Sequence, residues 1–146
     1  MREIKTEIEI NGSAEKVWQV LTDFAHFHEW NPFIREITGS VSEGSKLEIN
    51  ITTPNKKNRT YKPTLTKIVR NHELRWYGKG LVPGLLNGER IFTIEQLDQN
   101  HVRLLHRELF TGLGTLLAGD RIVHDIRRSF EEMNKALKKK IEHDGR

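Results

Sequence analysis

Residues 116–142 read LLAGDRIVHDIRRSFEEMNKALKKKIE, and the spacing of apolar side chains in this stretch decides the fold. Gly119, Val123, Ile126, Phe130, Met133, Leu137 and Ile141 follow one another at steps of three and four. At about 100° per residue these positions fall in one stripe, while His124 lands on the opposite side. The spacing predicts a helix from about Leu116 to Glu142, roughly 40 Å long. Lys135, Lys138, Lys139 and Lys140 crowd its last turns, where cations suit the helix dipole. No other predicted helix is long enough to cover the stripe, so this one has to lie across a sheet.

The rest of the chain supplies that sheet. Ile4, Thr6, Ile8 and Ile10 alternate with Glu3, Lys5, Glu7 and Glu9, the pattern of a half-buried strand. Asn11-Gly12 turns the chain, and Ser13 is placed to cap a short helix from Ala14 onward. Val17, Trp18, Leu21 and Phe24 recur at helical spacing within it. Phe27, Trp30 and Phe33 carry the stripe into a second short helix, which Asn31-Pro32 stops. Strands are then expected over residues 34–41, 46–53, 60–70, 74–79, 89–97 and 101–110, with Pro63 implying an edge or a bulge. Short connections such as Asp98-Gln99-Asn100 make consecutive strands antiparallel neighbours. The expected architecture is α+β: a curved antiparallel sheet of about seven strands wrapped around a long C-terminal helix, with two short helices after the first strand. One domain is expected over residues 1–146.

Composition narrows the chemistry. Without cysteine there is no disulfide, no thiolate catalysis and no Cys-based metal site. The chain carries 24 basic and 20 acidic residues, a net charge of +4, and the excess sits largely in the C-terminal lysines. That is the charge of a solvated helix end, and no nucleic-acid partner is expected. No apolar run approaches the roughly 18 residues of a membrane span, and Met1 to Lys5 lacks the apolar stretch of a signal peptide. A cytoplasmic location without integral membrane association is the expectation. There is no dinucleotide fingerprint, P-loop or nucleophile elbow, so no cofactor is expected. His26, His28 and Glu29 form a group that could suggest a metal, but helical residues two apart face different sides. No metal is assigned.

One strand, two short helices, a run of antiparallel strands and one long helix is a helix-grip order. In the words Ile8-Glu9-Ile10-Asn11-Gly12-Ser13-Ala14-Glu15-Lys16-Val17-Trp18-Gln19-Val20-Leu21-Thr22-Asp23-Phe24 and Glu29-Trp30-Asn31-Pro32-Phe33, the chain resembles the START-like superfamily. Leu74-Arg75-Trp76, Gly88 to Glu95 and the C-terminal helix extend the likeness over nearly the whole chain. Within that superfamily the chain resembles the bacterial polyketide cyclase/dehydrase-like (SRPBCC) domains. The resemblance implies an elongated cavity between sheet and helix, and a binder of small apolar molecules such as a lipid, a quinone or a polyketide. A minority of such proteins catalyse cyclisation, dehydration or hydrolysis, and a related branch activates a heat-shock chaperone. Fold alone does not choose between these roles.

Strand parity picks out the candidate residues. A three-residue loop from Asp98 to Asn100 would set Leu97 opposite His101, hence Ile94 against Leu104, Phe92 against His106 and Arg90 against Glu108. The apolar pairs turn this face toward the helix, which makes Arg90, His106 and Glu108 one inward polar cluster. As catalytic candidates, Glu108 would act as a base or ligand acceptor and His106 would titrate near neutrality, while Arg90 would hold a carboxylate or enolate oxygen. The alternative is a self-satisfied ion pair at the cavity mouth. The expected lining is Trp76, Phe92, Ile94, Leu104 and Phe110 from the sheet, with Ile126, Phe130 and Met133 from the helix. The expected function is binding of a small hydrophobic ligand by a monomer or weak dimer. A cyclase or dehydratase using His106 and Glu108 is the alternative, so enzymatic activity stays open. A third reading is an interaction module built on the apolar loop Leu81 to Leu86.

Overall fold

The computed structural model describes residues 2–53, 56–79, 87–111 and 120–144, and twelve segments are formed among these described residues. The order is β1 (Arg2–Asn11), α1 (Ala14–Thr22), a 3-10 turn (Phe24–His26), α2 (Phe27–Trp30) and β2 (Ile34–Thr38). Then come β3 (Glu48–Thr52), β4 (Asn58–Tyr61), β5 (Thr64–Val69), β6 (Glu73–Lys79), β7 (Asn87–Asp98), β8 (His101–Thr111) and α3 (Asp120–Asp144). The arrangement is the expected α+β helix grip. Five strands form a sheet in the order β1-β8-β7-β6-β5, and three form a second in the order β2-β3-β4, all antiparallel.

Pro63 explains why there are eight strands among the described residues where about seven were expected. The segment predicted as one strand over 60–70 is broken at Lys62-Pro63, because proline has no N–H for the ladder. Before the break the chain pairs with β3; after it, with β6. The Pro63 carbonyl accepts from Leu47 N at 2.8 Å, and Lys46 bridges Thr64, which ties the two sheets together at the bend.

The β7–β8 hairpin carries the pairings that parity required: Ile94 with Leu104, Phe92 with His106, and Arg90 with Glu108. Its turn is built differently. Asp98, not Leu97, faces His101, and Leu97 bulges out, 41% exposed. Asp98 Oδ1 accepts from Asn100 N at 3.0 Å, a local side-chain turn that tightens the loop to two residues. The bulge absorbs the difference, so Gln96 meets Val102 and every inward residue keeps its face.

The helical elements follow their signals. Ser13 Oγ accepts from Lys16 N at 3.1 Å and caps α1, which ends at Thr22, so Phe24 begins the 3-10 turn instead of closing the helix. Asn31 is buried, and its Oδ1 accepts from Phe33 N and Ile34 N, turning the chain from α2 into β2. Trp18, Phe27 and Phe33 are core residues. His26 Nδ1 lies 2.9 Å from the Asp23 carboxylate on the surface.

Ile126, Phe130, Met133, Leu137 and Ile141 of α3 are buried and His124 is exposed, as the stripe demands. The helix packs chiefly on β1. Among the described residues, no helix is long and apolar enough to cross a membrane. The loop Leu81 to Leu86, Gly119 and the expected helix start at Leu116 lie outside the described residues.

Candidate functional site

The inward polar cluster exists, and it is closed. Arg90 and His106 are 0% exposed and Glu108 is 4% exposed, so the cluster is an interior feature and not a pair at a cavity mouth. Arg90 Nε donates to Glu108 Oε2 at 2.6 Å. The guanidinium carbon lies 4.5 Å from the Phe130 ring centre and 5.2 Å from that of Phe33, within cation–π range. The other two guanidinium nitrogens, Nη1 and Nη2, have no hydrogen-bond partner among the described residues. Burial works against the guanidinium charge, but the Glu108 carboxylate outweighs it and holds Arg90 firmly protonated. Burial also lifts the Glu108 carboxyl above its usual range, and Arg90 opposes the rise. Gly88 makes room for this carboxylate: a Cβ there would overlap Glu108 Oε1.

His106 sits between two phenyl rings. Phe130 stacks on it at 4.3 Å with a 9° tilt, and Phe92 lies 4.4 Å away on a 31° tilt. Its Nδ1 is 2.9 Å from Asn134 Oδ1; Asn134 Nδ2 donates to Thr6 Oγ at 2.9 Å; and the Thr6 hydroxyl donates to the His106 carbonyl at 2.9 Å. Burial, and then the charge of Arg90, push its pKa well below 6.5, with Asn134 opposing. The imidazole is therefore neutral at physiological pH, which corrects the expectation that it titrates near neutrality. Its Nε2 has no partner among the described residues.

Two further groups complete the cluster. The Tyr61 hydroxyl is buried beside Arg90, although the residue as a whole is partly exposed. Burial raises its pKa, and Arg90 opposes the rise. Trp76 Nε1 points toward the Tyr61 oxygen without meeting hydrogen-bond geometry, so both polar atoms are unpartnered. Trp76 also packs edge-on against Phe92 at 5.5 Å.

Of the residues expected from sequence, Arg90, His106, Glu108, Trp76, Phe92 and Phe130 come together here. Ile94 and Leu104 are buried one pair further toward the β7–β8 turn, and Phe110 pairs with Gly88 at the other end. Ile126 and Met133 are buried on α3 to either side of Phe130. Sequence reasoning missed Asn134, Thr6, Tyr61 and Phe33 as members of the site. Thr6 carried a signal, as a polar residue between Ile4 and Ile8 on the inward face of β1. Asn134 stood one turn past Phe130, beside the stripe.

Next to the closed cluster is an open cavity of about 610 Å³ between Pro32-Phe33, the end of β3 and the first half of α3. Arg121, Asp125, Arg128, Ser129 and Glu132 of α3 line it, and so does Lys56. Phe33 is a wall of this cavity and also the ring against Arg90 and Phe130, so it touches both the opening and the buried polar groups.

A sheet packed against one long helix, with charged and aromatic groups enclosed between them, defines a helix-grip protein with an enclosed polar cluster. The profile of the family described as polyketide cyclase / dehydrase and lipid transport matches residues 1–142, and the chain belongs to that family. A START superfamily protein from Mycobacterium smegmatis is similar in structure, with a TM-score of 0.79 and 16% identity over 97% of each chain. The Zhui aromatase/cyclase of a Streptomyces strain also has a TM-score of 0.79, at 14% identity over 99% of this chain and 96% of that one. XoxI from Bacillus cereus has a TM-score of 0.74 at 18% identity, over 100% and 99%. At these identities the likeness shows the shared fold. No curated protein matches the chain. Family and fold together support a ligand-binding or cyclase role.

Proposed function

We propose that the protein binds a small hydrophobic molecule of the lipid, quinone or polyketide-like kind between the sheet and α3, with Arg90 holding its polar end. One observation carries this reading: Arg90 is a fully buried cation that uses a single nitrogen on Glu108 and leaves Nη1 and Nη2 without partners among aromatic rings. Buried polar groups are normally satisfied, and a guanidinium fork suits a planar pair of oxygens. Phe33, Phe92, Phe130 and Trp76 supply the apolar contact, at about 25 cal/mol per Å² before ordering costs.

Native mass spectrometry of the protein as purified, followed by organic extraction, tests the proposal. A discrete adduct released on denaturation is the expected result. Phe130→Trp should weaken that adduct at least about tenfold by filling the space, and unchanged affinity would count against the site.

A cyclase or dehydratase is the second reading, favoured by the unpartnered Nε2 of His106, a ring that feels the charge of Arg90. A base whose pKa lies well below 6.5 abstracts protons weakly, so the ring serves better as a hydrogen-bond acceptor than as a general base. Substrate turnover that disappears in His106→Ala and Glu108→Gln, with folding intact, would reverse this ranking.

A further inference from the structure

The hydrogen bonds around His106 run in only one direction. A carbonyl oxygen only accepts, so the 2.9 Å contact between Thr6 Oγ and the His106 carbonyl uses the single hydroxyl proton of Thr6. Thr6 Oγ must then accept from Asn134, which turns the amide so that Nδ2 faces Thr6 and Oδ1 faces His106. An amide oxygen also only accepts, so His106 Nδ1 carries the proton. A neutral imidazole has one N–H, which leaves Nε2 as a lone pair. The circuit begins and ends on His106, drawing on β1, β8 and α3, and all three of its residues are buried. The Phe92 and Phe130 rings on either side of the imidazole hold its plane.

The unpartnered atoms of the buried cluster can therefore be sorted. Arg90 Nη1 and Nη2 and Trp76 Nε1 are donors; His106 Nε2 is an obligate acceptor; the Tyr61 hydroxyl serves as either. A plain carboxylate would satisfy Arg90 and leave Nε2 facing hydrocarbon. A plain alcohol would satisfy Nε2 and leave the guanidinium without oxygens. We infer that the site selects an amphiphile whose polar end is a hydroxy-carboxylate, its two carboxylate oxygens on Arg90 and its hydroxyl donating to His106 Nε2. This selectivity rests on the binding role proposed above. Asn134 is then a positioning residue: it touches no ligand and fixes which ring nitrogen accepts.

The sign of one comparison tests this. An added hydroxyl that finds no partner in an apolar chamber weakens binding through its lost hydration; one that meets a fixed acceptor strengthens it. The probes are 3-hydroxydecanoate and decanoate, titrated calorimetrically into the full chain. The wild-type protein is expected to bind the hydroxy acid about ten- to a hundredfold more tightly. His106→Leu should invert the preference while decanoate still binds. Asn134→Asp sets a carboxylate against Nδ1 and favours protonation of Nε2, and should also abolish the preference. Decanoate binding with no gain from the hydroxyl overturns the inference and leaves the binding role standing. Failure of both probes to bind removes the inference and the binding role for acids of this kind. Nitrogen NMR of His106 gives a reading that needs no ligand and no core substitution. A proton on Nδ1 is expected, and a proton on Nε2 overturns the assignment.

Discussion

A guanidinium and a carboxylate taken out of water each lose several kcal/mol of hydration, and a single close contact recovers this only in part. The 2.6 Å bond between Arg90 and Glu108 is therefore a poor device for stability. Arg90→Met alone strands a buried carboxylate and should cost about 3–5 kcal/mol in urea unfolding. Adding Glu108→Leu should recover most or all of that loss, and in both variants the bound molecule should be absent. A double variant as unstable as the single one would instead assign the pair to holding the fold together. His106 makes a separate mark on the pH profile. Its folded pKa lies below the unfolded value of 6.5, so it contributes stability above pH 6.5 that is lost as pH falls through the folded pKa. Glu108, with a raised pKa, acts in the opposite sense, losing stability as pH rises from 4.5. Subtracting the profile of His106→Leu from that of the wild type cancels the Glu108 contribution. The difference should slope toward lower stability below pH 6.5, by at most about 1.4 kcal/mol per pH unit for one proton. A flat difference would mean that the ring titrates alike in both states.

Among the elements, what sequence could show depended on whether the deciding signal was local. Alternation in β1 and the three-four spacing in α3 are patterns of a single element, and both were legible before any contact was known. The inward face of the β7–β8 hairpin needed only parity, since a slip of one residue would have turned Arg90, His106 and Glu108 outward. The tip was misread, because Asp98 bonding back to Asn100 favours a two-residue turn that expels Leu97. Parity survived because a bulge adds one unpaired residue without moving the strand beyond it. The break at Pro63 was legible as a bulge, but not as the point where one strand passes between two sheets. That depends on Leu47 N reaching the Pro63 carbonyl from another element. The His106–Asn134–Thr6 circuit was out of reach for the same reason: it joins residues 128 positions apart, and its meaning lies in bond directions.

In the molecule as a whole, α3 is both a wall of the buried site and the element whose two halves are held differently. Toward its C-terminus, Ile141 fits against Gly12, where a Cβ would come within 2.8 Å of the isoleucine. Lys138 donates to the Glu9 carbonyl at 2.8 Å, and Glu142 accepts from Asn11 N at 2.9 Å. Toward its N-terminus, Ile126 and Phe130 are buried and Arg127 donates to the Lys5 carbonyl at 2.9 Å, but the neighbouring face borders the 610 Å³ cavity. A site whose charged groups are 4% exposed or less admits a molecule only if a wall moves. Phe33 and the first half of α3 both border the cavity, which makes them the wall whose movement would open a route to the buried groups. Hydrogen exchange should then be at least about tenfold faster in residues 123–130 than in 136–142, and a bound amphiphile should slow the first segment more than the second. Equal protection along the helix, unchanged by ligand, would place the route elsewhere on the sheet and leave the 610 Å³ cavity without a part in admission.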